Sequence, residues 1–137
     1  MHETIFDKIV RREVPAEIVY EDDETLAFLD IAPSNPGHVL VIPKKNVRNV
    51  LDADKDTWMS VMETVRTIAP GVMKAVGATG INVISNAEES SGQVVFHLHV
   101  HLIPRFENDG HKLFVNKKYE EDEMSVVAEK IRTELAS

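Results

Sequence analysis

Three histidines stand at alternate positions, His97, His99 and His101, inside the apolar run Phe96-His97-Leu98-His99-Val100-His101-Leu102-Ile103. Side chains alternate between the two faces of a strand, and residues two apart lie roughly 6.6–6.8 Å apart along one face. A strand here sends the three imidazoles to one side and Phe96, Leu98, Val100 and Leu102 to the core. Imidazole titrates near neutral pH and needs partners when buried, so lining up three of them does little for stability. A metal site or a nucleophilic and acid–base site is the chemistry that fits. Zinc takes three or four ligands at about 2.0–2.3 Å. The carboxylates of residues 87–105 are Glu88 and Glu89 alone, and the neighbours of the run are apolar, so a metal site would be incomplete. A neutral imidazole is a competent nucleophile at pH 7, and a second imidazole can hold or pass a proton. The preceding loop, Ser90-Ser91-Gly92-Gln93, can offer backbone N–H groups to phosphate oxygens, with Gly92 permitting close approach. Placed directly before the histidines, that loop points to phosphorus chemistry.

Periodicity supplies the elements that must position these residues. Ile5, Phe6, Ile9 and Val10 mark a short amphipathic helix over 3–12, ended by Val14-Pro15. Ile18-Val19-Tyr20 and Thr25–Leu29 read as strands around an acidic turn. After the loop Ala32–Gly37, a third strand runs over His38–Ile42 and is stopped by Pro43. A long helix capped by Asp52 or Asp54 carries Trp58, Met59, Met62, Val65, Ile68 and Ala69 on one face. Pro70-Gly71 is expected to kink or break it. Ile81–Ser85 makes a fourth strand and the histidine run a fifth. Residues 107–118 look irregular, and Met124, Val127, Ala128, Ile131 and Leu135 mark a terminal helix. The expected class is α+β: a five-stranded, mainly antiparallel sheet with one long helix, a short N-terminal helix and a C-terminal helix. Residues 1–106 form the main domain, and 107–137 an extension packed on it.

A chain of 137 residues has room for one domain with a real core. It holds no cysteine, which excludes disulfides and Cys-ligated metals and fits a reducing compartment. The net charge of −8 argues against binding along a nucleic-acid backbone. Its acidic clusters, Glu21–Glu24 and Glu120–Glu123, read as solvated turn and helix-start residues. The amino terminus has no basic segment followed by an apolar one, and no run approaches the ~20 apolar residues of a membrane span. The expectation is a soluble cytoplasmic protein without nucleic-acid or membrane partners.

The segment Gly92–Arg105, with its His-x-His-x-His and apolar x, resembles the signature of the histidine triad (HIT) family. The resemblance extends upstream through Ile5-Phe6-Asp7-Lys8-Ile9, Val14-Pro15, Phe28-Leu29-Asp30-Ile31, Pro33, Pro36-Gly37-His38 and Leu40-Val41-Ile42-Pro43-Lys44. It is most similar to the Hint-like branch of nucleotide-binding hydrolases in its bacterial form. The resemblance implies a HIT-like fold, a homodimer and no cofactor. It also implies cleavage at the α-phosphate of a nucleoside phosphoramidate, or a related conjugate of a purine nucleotide, through a covalent nucleotidyl-histidine.

By that resemblance His99 is the nucleophile, His101 contacts the α-phosphate, and His97 and His38 orient and polarise the site. Asp30 matches the carboxylate that binds the ribose hydroxyls, and Asn86 an amide near the scissile phosphate bridge. Gly92, Gln93 and the backbone of Val94 fall on the phosphate loop. Ile5, Phe6, Ile9, Phe28 and Ile31 match apolar walls for a base. Many relatives carry a hydroxyl residue where Val94 stands, and a polar one where Leu29 stands. Family members with structural zinc have Cys-x-x-Cys near the amino terminus and a His after the Lys-Lys pair. Thr4, Asp7 and Asn46 hold those places here, so no metal is expected. A dinucleoside polyphosphate hydrolase, and a nucleotide-binding interaction module with little catalysis, are the alternatives.

Overall fold

Thr4 starts the first helix. Its hydroxyl accepts the Phe6 N–H at 3.2 Å, and Asp7 Oδ2 accepts the Thr4 N–H at 2.7 Å, a reciprocal capping box. The computed structural model describes residues 2–137. Helix α1 spans Ile5–Val10, inside the wider range that periodicity predicts. Strands β1 (Ile18–Glu21), β2 (Thr25–Leu29) and β3 (Val39–Pro43) follow, then helix α2 (Lys55–Val76). Strands β4 (Gly80–Ile84) and β5 (Val100–Arg105) and helix α3 (Glu123–Ala136) complete the chain. The sheet order is β1-β2-β3-β5-β4 with every neighbouring pair antiparallel. The α+β expectation holds.

Both faces of the sheet centre are covered, so β2 and β3 read as near-continuous apolar runs. Ala27, Val39, Val41, Leu98, Val100 and Leu102 face α2 through Val61 and Val65. Leu26, Phe28, Leu40 and Ile42 face α1 through Phe6 and Ile9. Leu98 and Leu102 are fully buried, each worth about 1.5–3 kcal/mol. Register places Leu40 opposite His101 across β3 and β5, which puts that histidine on the α1 side. Gly37 sits at φ +88°, and a Cβ there would lie 2.9 Å from Val76 Cγ1. Only glycine lets the loop approach the end of α2 this closely while delivering His38 to the sheet.

Two expectations need correction. First, α2 runs through Pro70 and Gly71 without a break. Both lie on its exposed side, where water can serve the carbonyl that loses its amide partner. Second, β5 begins at Val100, so His97 and His99 precede the strand and only His101 lies on it. His97 and His99 still share the α1 side with His101 in the bent, unpaired segment before it, but Phe96 is not core. It is half-exposed, with the Arg48 guanidinium 4.3 Å above its ring.

The terminal helix is expected to bury its apolar stripe. No residue of α3 is buried, and Leu113, Phe114 and Val115 before it are exposed. Residues 107–111 behave differently. Asp109 Oδ2 accepts from Arg105 Nε at 2.8 Å, Asn35 Nδ2 at 3.1 Å and the Phe106 N–H at 3.1 Å. Arg105 holds that carboxyl well below the usual carboxylate range. The first turn of the extension is thus tied to the loop that carries His38.

Candidate active site

The four histidines sit in series on the α1 face. His99 and His101 have ring centroids 4.9 Å apart, and His38 and His101 5.1 Å apart. Phe6 presents an edge-to-face contact to His99 at 5.1 Å and to His97 at 6.0 Å. The exposed polar face that an isolated histidine strand would present is not formed. His97 is fully buried, and His99 and His38 are 7% and 4% exposed.

Hydrogen-bond partners assign the tautomers. A carbonyl only accepts, so the 2.7 Å contact of His99 Nδ1 with the His97 carbonyl is an N–H donation. Neutral His99 therefore keeps its lone pair on Nε2. A backbone N–H only donates, so His38 Nδ1 accepts from Ser34 at 3.0 Å. The His38 proton then lies on Nε2, which donates to His101 Nδ1 at 2.9 Å. His101 is left with Nε2–H as a free donor. Asp30 Oδ2 stands 3.7 Å from His38 Nε2, while Asp30 Oδ1 accepts the Ala32 N–H at 2.9 Å.

The donor atoms of Asp30, His38 and His101 lie within 4.8 Å of one another. The facing nitrogens of the two rings lie 2.9 Å apart, the distance of a shared proton, which makes the group a hydrogen-bonded relay.

Burial disfavours charge on His38, His99 and His101. Desolvation lowers His99, although its bond to the His97 carbonyl works the other way. Desolvation also lowers His38 against the pull of Asp30. His101 falls furthest, to about 4, through burial and then through His99 and His38. A histidine whose folded pKa is depressed resists protonation in the folded state, so protons favour unfolding. Its contribution is complete above 6.5, the ordinary imidazole value, and is lost as pH falls through the depressed one. We expect the thermal midpoint to be level above pH 6.5 and to drop between 6.5 and 4, as scanning calorimetry across that range will measure.

A cavity of about 490 Å³ opens beside the array. Phe6, Ile9, Phe28, Asp30, Ile31, Gly92, Val94, His99 and His101 line it, so the structure gathers most of the residues singled out in the sequence. Ile31 and Val94 stand at its mouth, 96% and 83% exposed. Asn86 lies outside the lining, its side-chain amide 3.6 Å from where a Gly92 Cβ would be. Gly92 itself has φ +105°, a conformation suited to glycine.

The phosphate loop differs from expectation in two respects. The N–H groups of Ser91, Gly92 and Gln93 are spent on the carbonyls of Glu88 and Glu89. Val94 N–H makes no hydrogen bond among the described residues and is the loop's donor. Gln93 turns inward, 2% exposed. Its Oε1 accepts from Glu88 N at 2.8 Å and Asn49 Nδ2 at 3.1 Å, and its Nε2 donates to the Arg48 and Val95 carbonyls. The amide is fully occupied within the protein and shapes the loop from behind.

Supporting residues that pattern reading missed include Asn49, Ser34, Ser85 and His111. Ser85 Oγ donates to the His99 carbonyl at 2.9 Å. His111 Nε2 donates to the Ser34 carbonyl at 2.7 Å and steadies the loop that serves His38. Asn49, 1% exposed after Lys-Lys-Asn-Val-Arg, carries the one available signal: a polar residue in an otherwise core-spaced segment.

The model of the HIT domain matches residues 11–108. The chain belongs to the HIT family. An uncharacterized HIT-like protein of Methanocaldococcus jannaschii is 43% identical over 106 residues, covering 77% of this chain and 81% of its own. The purine nucleoside phosphoramidase of Escherichia coli is 39% identical over 103 residues, 74% of this chain and 86% of that one. The crystal structure of a Streptococcus mutans protein superposes with a TM-score of 0.92 at 42% identity, covering 98% of this chain and 87% of that one. One of these HIT relatives is a purine nucleoside phosphoramidase, and the sheet, helices and histidine array of this chain fit the family. Among the described residues no helix is long and apolar enough to cross a membrane.

Proposed function

We propose that the protein hydrolyses nucleoside phosphoramidates, or related conjugates of a purine nucleotide, at the α-phosphorus through a nucleotidyl-histidine. The observation that carries this reading is the His99 tautomer: Nδ1–H is fixed on the His97 carbonyl, and the ring lines an apolar cavity with Nε2 unprotonated. Nε2 attacks phosphorus, forming a P–N bond as the bond to the leaving amine breaks, and the amine departs with a proton drawn from the site. The His97 carbonyl accepts a stronger bond as charge grows on the ring. His101 Nε2–H and Val94 N–H face the phosphate oxygens, Asp30 takes the ribose hydroxyls, and Phe6, Ile9, Phe28 and Ile31 enclose the base. Water then cleaves the P–N bond and restores His99.

The reading includes a homodimer in a reducing, cytoplasmic setting. The exposed apolar residues of 113–115 and α3 support an assembly larger than one chain, and the absence of cysteine fits the setting. Sedimentation at micromolar concentration should give twice the 15.4 kDa chain mass. Turnover of an adenosine phosphoramidate should exceed that of diadenosine polyphosphates and survive a strong chelator, as parallel assays with chromatographic detection of AMP will show. Faster polyphosphate cleavage would move the protein to the other hydrolase branch. AMP binding without turnover of either would make it a binding module.

A further inference from the structure

His97 is the least exposed of the histidines, and its ring nitrogens have unequal partners. Nε2 lies 2.8 Å from the Pro43 carbonyl, which only accepts, so Nε2 carries a hydrogen. Nδ1 is the one buried side-chain polar atom without a hydrogen-bond partner among the described residues. What faces it is Asp7 Oδ1, at 3.5 Å. Asp7 is itself 9% exposed, and its other oxygen is saturated: Oδ2 accepts from Thr4 N at 2.7 Å, Asn46 Nδ2 at 2.7 Å and Thr4 Oγ1 at 3.3 Å. Oδ1 accepts nothing.

A neutral His97 would set its Nδ1 lone pair against the lone pairs of a carboxylate inside the protein. Two unsatisfied acceptors facing one another in a buried site cost free energy twice, through desolvation and through repulsion. One proton between them removes both penalties.

We propose that a proton is held between His97 Nδ1 and Asp7 Oδ1, making His97 a buried imidazolium paired with Asp7, and that Asp7 is a positioning residue for His99. Oδ2 already accepts from three donors, so the carboxyl serves as an acceptor and the shared proton sits on the ring. Burial is the largest influence on His97 and lowers its pKa overall; the Pro43 carbonyl and Asp7 oppose that, and the facing acceptors at Nδ1 decide for the proton. A buried pair survives only where its remaining valences are filled, and here Pro43, Thr4 and Asn46 fill them. Asp7 of α1 is the charged group facing the ring. Pro43 of β3 offers a carbonyl and Phe6 a ring edge, and His99 is the next titratable group along the chain.

The consequence reaches the nucleophile by two routes. The His97 ring is clamped between α1 and β3, and its main-chain carbonyl receives the His99 Nδ1–H, so Asp7 fixes the carbonyl that sets the His99 tautomer. A positive His97 also disfavours protonation of His99. Only this catalytic consequence rests on the proposed hydrolase reading; the proton itself does not.

The test is a long-range ¹H–¹⁵N correlation spectrum of the ¹⁵N-labelled full chain at pH 7, which needs no substrate. Both His97 nitrogens should resonate in the protonated, pyrrole-like region. In Asp7→Asn the new amide can donate to Nδ1, so that nitrogen should move to the unprotonated, pyridine-like region. His99 in that variant should then titrate at higher pH, a shift that a packing role would not produce. A pyridine-like His97 Nδ1 in the wild type overturns the proposal even where Asp7→Asn fails to fold. An unmoved His99 titration in a folded Asp7→Asn overturns its link to the nucleophile. A protein that showed the imidazolium but hydrolysed no nucleotide conjugate would refute the hydrolase reading alone.

Discussion

Replacing His99 with Gly should abolish phosphoramidate hydrolysis, a loss of at least about 10⁴-fold in kcat, while AMP binding stays within a few-fold of wild type. The reason is chemical: no neighbouring group can supply the lone pair. Among the described residues, His101 Nδ1 is occupied by His38, His97 Nε2 points at the Pro43 carbonyl, and His38 Nδ1 is held by Ser34. Single-turnover assays on the purified variant, with isothermal titration of AMP, will separate the two effects. His38→Ala should cost less, because it removes an orienting donor and leaves the nucleophile in place.

The wild type should show a transient mass increase of one nucleoside monophosphate on the peptide containing His99. Phosphorus–nitrogen bonds hydrolyse in acid, so the quench must be alkaline. Two in-line displacements give net retention at a chiral phosphorus. Inversion, or a His99→Gly protein within a few-fold of wild-type activity, would remove the covalent mechanism.

The catalytic half of this molecule is written in local pattern, and the supporting half is not. Alternation around His97, His99 and His101 separates ring side from core side, with Leu98 and Val100 facing α2, even though the chain bends over 95–97 without strand pairing. The strand start, by contrast, depends on where β3 offers a partner. Val39, Leu40 and Val41 pair with β5 only from Val100 onward, and no feature of residues 96–99 announces that. Pro70 signals a break in isolation, but an exposed position on a helix held by Val61 and Val65 tolerates the missing hydrogen bond. The apolar stripe of α3 predicts a buried face, yet periodicity states only that a face exists and not what covers it. Ser34, Asn49, Ser85 and His111 work through contacts between segments far apart in the chain, which spacing cannot encode.

Gln93 gives the sharpest contrast between the two kinds of evidence, since its place in the loop suits a phosphate contact and its side chain makes none. Gln93→Leu should lower the unfolding free energy by roughly 3–5 kcal/mol. The Leu side chain leaves the Arg48 and Val95 carbonyls and the Glu88 N–H without the partners that the amide supplies. Asn49 Nδ2 loses one of its two acceptors as well, keeping Glu88 at 2.6 Å. Each part-buried group so stranded costs up to about 1–3 kcal/mol, and the groups share one network, so the losses will not add independently. Gln93→Glu tests the geometry without removing volume. It turns an oxygen toward carbonyls that Nε2 meets at 2.8 and 3.1 Å, so it should be comparably destabilising although it keeps an acceptor for Glu88 N–H. Urea denaturation of both variants beside Michaelis constants for the phosphoramidate will decide the matter. A structural amide lowers the unfolding midpoint first and alters KM only as the Val94 donor is displaced. A raised KM with unfolding unchanged to within about 0.5 kcal/mol would return Gln93 to the substrate.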